Sequence, residues 1–332
     1  MTRTITEPAR SIPVIRETDV LGVGSGPGGL AAALACARAG VETVLLERYG
    51  CFGGNITQVG VEGFAWYRHP ATIDSEGIGR EFEERAKAMG AAMPEPQSIS
   101  HSLDAEGFKV VADTLVEEAG VIPMLHRLFV APIMEGDTIK GVIVESKAGR
   151  EAILAKRVID ATGDADIAHR AGAPTHKHPV EEMMSVSVMF SMCGVNKTRF
   201  IDAVKADPQT YGDWAVGGEW EISTSGKEDA MFSPFLRKPF QKALEAGLIP
   251  DSVKTMAGTW GTVSDQGDPT YLNMGHLYLH RTHPDALAHR GIGRVGLGIE
   301  RTGDPARERA AALGVGAHRH QHAAHVRVVD DG

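Results

Sequence analysis

The chain has 332 residues, a hydrophobic fraction of 42% and a formal net charge of −9 at pH 7. That length can bury cores for two domains, and the acidic balance argues against nucleic acid as a main partner, because a phosphate backbone demands a basic face. No apolar run approaches the roughly 18 residues of a membrane span, and residues 1–17 read as a polar leader without the apolar centre of a secretory signal, so the expected setting is cytoplasmic.

Asp19-Val20-Leu21-Gly22-Val23 reads as a short buried strand. Gly24-Ser25-Gly26-Pro27-Gly28-Gly29 follows it, and Leu30 to Ala39 is an alanine-rich helix stopped by Gly40. Thr43 to Leu46 is a second apolar strand, closed by Glu47. This is a G-x-G-x-x-G pattern between a strand and a helix, with an acid at the end of the next strand, the arrangement of a dinucleotide site. Gly24 permits the tight turn, Gly26 lets backbone approach a pyrophosphate, and Gly29 lets the helix pack close to the strand. The helix N-terminus then offers free N–H groups and partial positive charge to phosphates. Glu47 can accept hydrogen bonds from a ribose diol. A merely structural Gly-rich loop would explain neither the glycine register nor the terminal acid.

Directly after Glu47 comes Arg48-Tyr49-Gly50-Cys51-Phe52-Gly53-Gly54-Asn55-Ile56-Thr57. A second glycine cluster here is not needed for a nicotinamide cofactor. It makes sense for a longer cofactor that continues across the sheet and needs close backbone approach again. A third reading, an NAD-dependent dehydrogenase, has this loop against it, and Glu47 would disfavour NADP by repelling its 2′-phosphate.

Ile78 to Met89 carries a helical apolar stripe at Ile78, Phe82, Ala86 and Met89, and Leu103 to Glu118 reads as another helix, ending at Gly120. Val121 to Val144 alternates around Glu135-Gly136-Asp137, a hairpin turn. Ile153 to Ile159 returns as a strand into Asp160-Ala161-Thr162-Gly163-Asp164-Ala165-Asp166, a turn of small residues and acids.

With these residues the chain resembles the FAD-dependent oxidoreductases of the glutathione-reductase-like flavoprotein superfamily. The stretches that carry the resemblance are GSGPGGLAAALACARAG, LLERYGCFGGNIT and VIDATGDADIAHRAGAP, within about residues 18–275. It implies that Glu47 holds the adenosine ribose. It also implies that Gly53, Gly54, Asn55 and Thr57, beside Arg48, lie along the pyrophosphate, ribityl chain or flavin. Ala161, Thr162 and Gly163 would pass near the adenosine end, and Val130 matches the strand whose backbone meets the adenine. No general acid or base can be named. Asp160, Asp164 and Asp166 lie beside the cofactor motif and read as cofactor or turn residues.

The fold this implies is α/β: a Rossmann-like FAD-binding domain with a β-meander over residues 18–175, with a helical insertion at 61–120, plus an α+β cap or substrate domain over 176–278. The function it implies is FAD-dependent oxidoreduction of a small-molecule substrate, with an electron acceptor of unknown identity and a homo-oligomeric assembly as an option. The alternative is a non-catalytic flavin- or nucleotide-binding remnant of such an enzyme. Cysteine chemistry adds little: Cys36, Cys51 and Cys193 fit neither a zinc site nor a C-x-x-C pair. Cys36 reads as core and Cys193 as a strand residue. Cys51, in the flavin-side loop, has no cysteine near it in sequence.

Methionines cluster at Met183, Met184, Met189 and Met192, and Trp214, Trp220 and Trp260 mark the expected cap. From Leu279 to Gly332 there is no Lys, Phe, Trp, Tyr, Met, Cys, Asn or Ser, and eight of the fourteen histidines fall between His276 and His325. Such a composition lacks the large apolar residues of a core and is expected to be disordered. The resemblance stops after Leu287. The expectation is a chain truncated or frameshifted near residues 285–290, the alternative a low-complexity appendage. The spacing of His318, His320, His322 and His325 could trap a metal, but base composition explains it more simply, and no metal is expected.

Overall fold

The computed structural model describes residues 3–64, 68–69, 72–73, 76–94, 101–179, 186–199, 202, 242–248, 253–259, 272–277 and 324–325. In chain order the elements run β1 (Val14–Val23), α1 (Pro27–Arg38), β2 (Thr43–Leu46), a π-helical turn (Asn55–Val59), β3 (Arg68–His69), β4 (Thr72–Ile73), α2 (Ile78–Ala88), β5 (Ala92–Pro94), β6 (His101–Leu103) and α3 (Ala105–Glu118). They continue with β7 (Ile122–Met124), β8 (Leu128–Glu135), β9 (Thr138–Ser146), β10 (Gly149–Asp160), α4 (Asp166–Arg170), β11 (Val186–Ser191), β12 (Val253–Thr259), β13 (Leu272–Leu277) and β14 (Ala324–His325). Two units result: Met1–Thr57, Glu76–Arg85 and Phe108–His176 form the first, and Gln58–Ser75, Ala86–Gly107 and Lys177–Gly332 the second.

The first unit is an α/β layer built on a six-stranded sheet of order β7-β2-β1-β10-β9-β8. Its β7-β2-β1-β10 half is parallel. Parallel neighbours need a crossover connection, and α1 supplies it between β1 and β2. Val20, Leu21, Gly22 and Val23 are consecutively buried, as are all residues of β2, which is the pattern of parallel strands covered on both faces. β8, β9 and β10 form the antiparallel meander, turned at Gly136 with φ of +55°. Leu21, Val23, Val44, Leu46, Phe129, Val142, Val144, Ile153 and Ile167 make one core.

α1 forms because Pro27 suits the first helical turn and the run LAAALA has high helix propensity. It buries Gly29, Leu30, Ala33 and Leu34 and stops at Gly40, whose φ is +80°, the left-handed conformation common at helix ends. α2 and α3 meet through Phe82 and Phe108, edge to face at 6.0 Å. Asp104 caps α3, accepting from the N–H groups of Glu106 at 2.9 Å and Gly107 at 3.1 Å.

In the second unit, the sheet order is β12-β13-β11-β14. β13 is antiparallel to both β12 and β11. β3 pairs with β4, and β5 with β6.

Several elements differ from the sequence reading. β1 starts at Val14 rather than Asp19, because β10 runs long enough to pair Ala152 with Val14. α1 starts at Pro27 rather than Leu30. The helix expected from Leu103 begins at Ala105, since Leu103 closes β6 against Ala92. Cys193 lies beyond the end of β11, not within it. Cys36 on α1 is half-buried rather than core. Trp214, Trp220, Trp260 and most of the tail after Leu279 lie outside the described residues. Of the tail, Ala324–His325 is described, as a short strand beside Phe190 and Ser191.

Candidate functional site

The parallel register sets Val23 level with Leu46 on one side and with Asp160 on the other. The residues that follow, Gly24, Glu47 and Ala161, therefore emerge together at the carboxyl ends of three adjacent strands, where ligands of such sheets collect.

Gly24 turns with φ of +93°, and its N–H donates to the Leu46 carbonyl at 2.9 Å. A Cβ there would lie 2.3 Å from the Ala161 carbonyl oxygen. A Cβ on Gly29 would lie 1.9 Å from the Gly24 carbonyl oxygen. Both glycines are thus demanded by the protein's own backbone. Gly26 differs: a Cβ there would meet nothing within 4 Å, and its φ of −58° is open to any residue. Gly26 caps α1 without a side-chain hydrogen bond. The first N–H groups of a helix have no intrahelical acceptor, so the turn faces open space with donors and a positive dipole end.

The second glycine cluster folds onto the first. Gly53 N–H donates to the Ser25 carbonyl at 2.9 Å. Gly53 has φ of +112°, and a Cβ on it would lie 2.5 Å from Thr57 Cγ2. A Cβ on Gly54 would lie 2.5 Å from Gly26 Cα. The protein's own backbone at Gly26 therefore already excludes a side chain at Gly54. The buried Thr57 hydroxyl donates to the Phe52 carbonyl at 2.5 Å, and Cys51 Sγ lies 4.0 Å from Thr57 Oγ1. Asn55, exposed, opens the π-helical turn, a rare geometry that concentrates at functional sites. Arg48 lies over the Tyr49 ring at 4.7 Å. Burial pushes the Tyr49 phenol above its ordinary range.

Glu47 is 6% exposed and carries more bonds than a ribose acceptor needs. Its Oε2 accepts from Ser25 N–H at 2.9 Å and from Ser25 Oγ–H at 2.6 Å. Its Oε1 accepts from Tyr49 N–H at 3.0 Å. Its own N–H donates to the Met124 carbonyl at 2.9 Å, and its carbonyl accepts from Arg127 N–H at 3.0 Å. The acid thus ties β2 to the glycine turn and to β7.

At the end of β10, Asp160 organises the Ala161-Thr162-Gly163 turn. Its Oδ1 accepts from the Thr162 hydroxyl at 2.7 Å, and its Oδ2 accepts from the N–H groups of Ile167 at 3.0 Å and Ala168 at 2.9 Å. Thr162 Oγ1 in turn accepts from Asp166 N–H at 2.9 Å. Asp160 is therefore a turn and helix-cap residue, one of the two roles expected of it. Gly163, with φ of +91°, has open space around it. Val130 stands apart from this cluster. Phe129 pairs with Val144 and Ala131 with Ile143, so Val130 is bulged out of the β8–β9 ladder. Its carbonyl accepts a hydrogen bond from Arg170 of α4, whose guanidinium also lies over the Phe129 ring at 5.5 Å.

The structure thus brings together Gly24, Gly26, Pro27, Gly29, Glu47, Gly53, Gly54 and Ala161. Ser25 is a part of this arrangement that sequence reasoning passed over, and Arg170, beside Val130, was passed over too. Ser25 sits at a variable position of the glycine pattern, and Arg170 meets Val130 only through tertiary structure. Among the described residues no cluster of His, Cys, Asp or Glu could hold a metal. No helix among them is long and apolar enough to cross a membrane.

A family model described as FAD dependent oxidoreductase matches residues 19–273. The thiamine thiazole synthase of Saccharolobus islandicus is 31% identical over 163 residues, covering 46% of this chain and 57% of that protein. The thiamine thiazole synthase of Methanococcus maripaludis is 33% identical over 164 residues, covering 46% and 59%. This chain therefore spans little more than half the length of these relatives. Among solved structures, a geranylgeranyl bacteriochlorophyll reductase-like protein from Thermoplasma acidophilum is similar at 21% identity, covering 55% of this chain and 48% of that chain, with a TM-score of 0.43. L-proline dehydrogenase from P. horikoshii is similar at 14% identity, covering 50% and 58%, with a TM-score of 0.37.

Proposed function

Because the chain belongs to the FAD dependent oxidoreductase family, we propose that it binds FAD at the carboxyl edge of the β1–β2–β10 sheet and oxidises or reduces a small-molecule substrate. The observation that carries this reading is the contrast among the glycines. Gly24, Gly29 and Gly54 are closed by protein atoms, while Gly26 is open where the α1 N-terminus begins.

In this reading the N–H groups at the start of α1, after Pro27, take the pyrophosphate. Glu47 accepts from the adenosine ribose. Asn55 and Thr57, on the π-helical turn with Gly53 and Gly54 before it, flank the ribityl and flavin portion, and Arg48 lies at the head of that loop. Ala161, Thr162, Gly163 and Asp166 border the adenosine end. The bulged Val130 presents its backbone to the adenine, beside Arg170, which donates to its carbonyl. Bound there, FAD would supply hydride and electron transfer, while the protein supplies position, electrostatics and exclusion of water. Cofactor binding falls to residues 18–175 and the substrate side to 176–278. A glutathione-reductase-like ancestry, a cytoplasmic setting and a separate electron acceptor belong to the same proposal.

The test is the visible absorption spectrum of the purified 332-residue chain, followed by identification of the nucleotide it releases. Flavin bands and released FAD are expected. A chain that neither retains nor takes up flavin would overturn the reading, and flavin retained without any turnover would favour the non-catalytic alternative.

A further inference from the structure

Resting on the nucleotide site just described, we propose that Ser25 is a positioning residue that aims Glu47, and that together they leave the carboxylate able to recognise one ribose hydroxyl rather than the 2′,3′-diol. Ser25 lies between Gly24 and Gly26, where the glycine pattern itself requires no side chain. It is 0% exposed, so its hydroxyl must find a partner within the fold. That partner is Glu47 Oε2, reached at 2.6 Å by the hydroxyl and at 2.9 Å by the Ser25 N–H.

A carboxylate offers about four lone-pair sites, two on each oxygen. On Oε2 both are taken by Ser25. On Oε1 one is taken by the Tyr49 N–H at 3.0 Å. Among the described residues' hydrogen bonds, a single acceptor site remains, on Oε1. The turn grips one oxygen and the Tyr49 peptide the other, so the carboxylate cannot rotate to offer both without losing a charge-assisted bond. One ribose hydroxyl can therefore be received, and the second finds its lone pair occupied.

The experiment titrates ADP, 2′-deoxy-ADP, 3′-deoxy-ADP and 2′,3′-dideoxy-ADP into the full chain freed of bound nucleotide, with FAD titrated in parallel. For the wild-type chain, removing one hydroxyl should weaken ADP about tenfold or more, the worth of a charge-assisted hydrogen bond, while removing the other should change it less than about twofold. Ser25→Ala should weaken ADP about five- to tenfold and leave dideoxy-ADP unchanged, since the side chain acts through the hydroxyl that Glu47 receives. Equal losses for the two monodeoxy analogues would overturn the proposal. So would a Ser25→Ala chain that loses the same factor on ADP and dideoxy-ADP, which is what a general loosening of the turn would do. If Ser25→Ala fails to fold, the wild-type analogue series still decides. If wild type binds neither FAD nor ADP, the nucleotide reading fails and this proposal with it. FAD bound with the wrong hydroxyl pattern overturns this proposal alone.

Discussion

Two glycines of one motif make opposite demands, and substitution should separate them. A Cβ on Gly29 would sit 1.9 Å from the Gly24 carbonyl oxygen. Backbone faces backbone there, so Gly29→Ala should cost at least about 2–3 kcal/mol of stability, at or beyond the upper end of overpacking. Gly26→Ala meets nothing within 4 Å and should leave the unliganded protein about as stable. It should nevertheless weaken FAD roughly five- to a hundredfold, the affinity equivalent of about 1–3 kcal/mol of overpacking. Denaturant melts with FAD titrations check the pair; equal stability losses at both positions would remove Gly26 from the cofactor site. Glu47→Ala should do both kinds of damage. It strands the buried Ser25 hydroxyl and the Ser25 and Tyr49 N–H groups, at about 1–3 kcal/mol for each group left unpaired, and it should weaken FAD about ten- to a hundredfold. Unchanged FAD affinity would take Glu47 out of the site.

At the scale of elements, α4 is short and depends on its cap. Asp160 accepts from Ile167 and Ala168 N–H groups at its start, so Asp160→Ala should destabilise by about 0.5–2 kcal/mol. The same change loosens the Ala161-Thr162-Gly163 turn, because the Thr162 hydroxyl donates to Asp160. Asp160→Asn should retain more of both, and a thermal melt of the two variants checks it. α1 and α2 are joined by Arg38, whose two terminal nitrogens reach Glu81 at 2.6 and 2.7 Å. The Arg38 hydrogen bond holds the Glu81 carboxyl below its ordinary range. A depressed carboxylate stabilises fully above its unfolded pKa and loses that contribution as pH falls through the folded one. The pair is partly exposed, with 38% and 30% of the two side chains accessible, so screening limits it to less than about 1 kcal/mol. An Arg38→Ala, Glu81→Ala double-mutant cycle should show that coupling at neutral pH. It should vanish below the ordinary glutamate range, and a coupling unchanged at low pH would contradict the ion pair.

For the whole molecule, ligand linkage is the broadest check. FAD at about one hundred times its Kd should stabilise the unit that binds it by about 2.7 kcal/mol. Because the chain divides into two units, a single two-state melt is not assumed. Protection from hydrogen exchange should rise in β1, α1, β2 and β10. A rise absent from these elements but present elsewhere would place the cofactor in a different part of the chain.

The order of strand, glycine turn, helix, strand and acid was legible in the sequence, because each signal is local. Val20 to Val23 and Thr43 to Leu46 are apolar runs, Pro27 and Gly40 bracket α1, and Glu47 closes β2. The Glu135-Gly136-Asp137 hairpin was legible for the same reason. What sequence could not supply depends on distant residues. β1 reaches back to Val14 because Ala152 is there to pair with it. Gly54 is small because Gly26 lies against it, and Val130 is bulged because β9 offers one fewer partner. Above all, the sequence by itself determined that an acid stands at the end of β2, since burial pattern and spacing are written along the chain. Only the tertiary structure decided what that acid does there. Packing brings Ser25 and Tyr49 N–H groups and the Ser25 hydroxyl onto one carboxylate, and a buried carboxylate's remaining capacity is set by the donors that the fold has already placed on it.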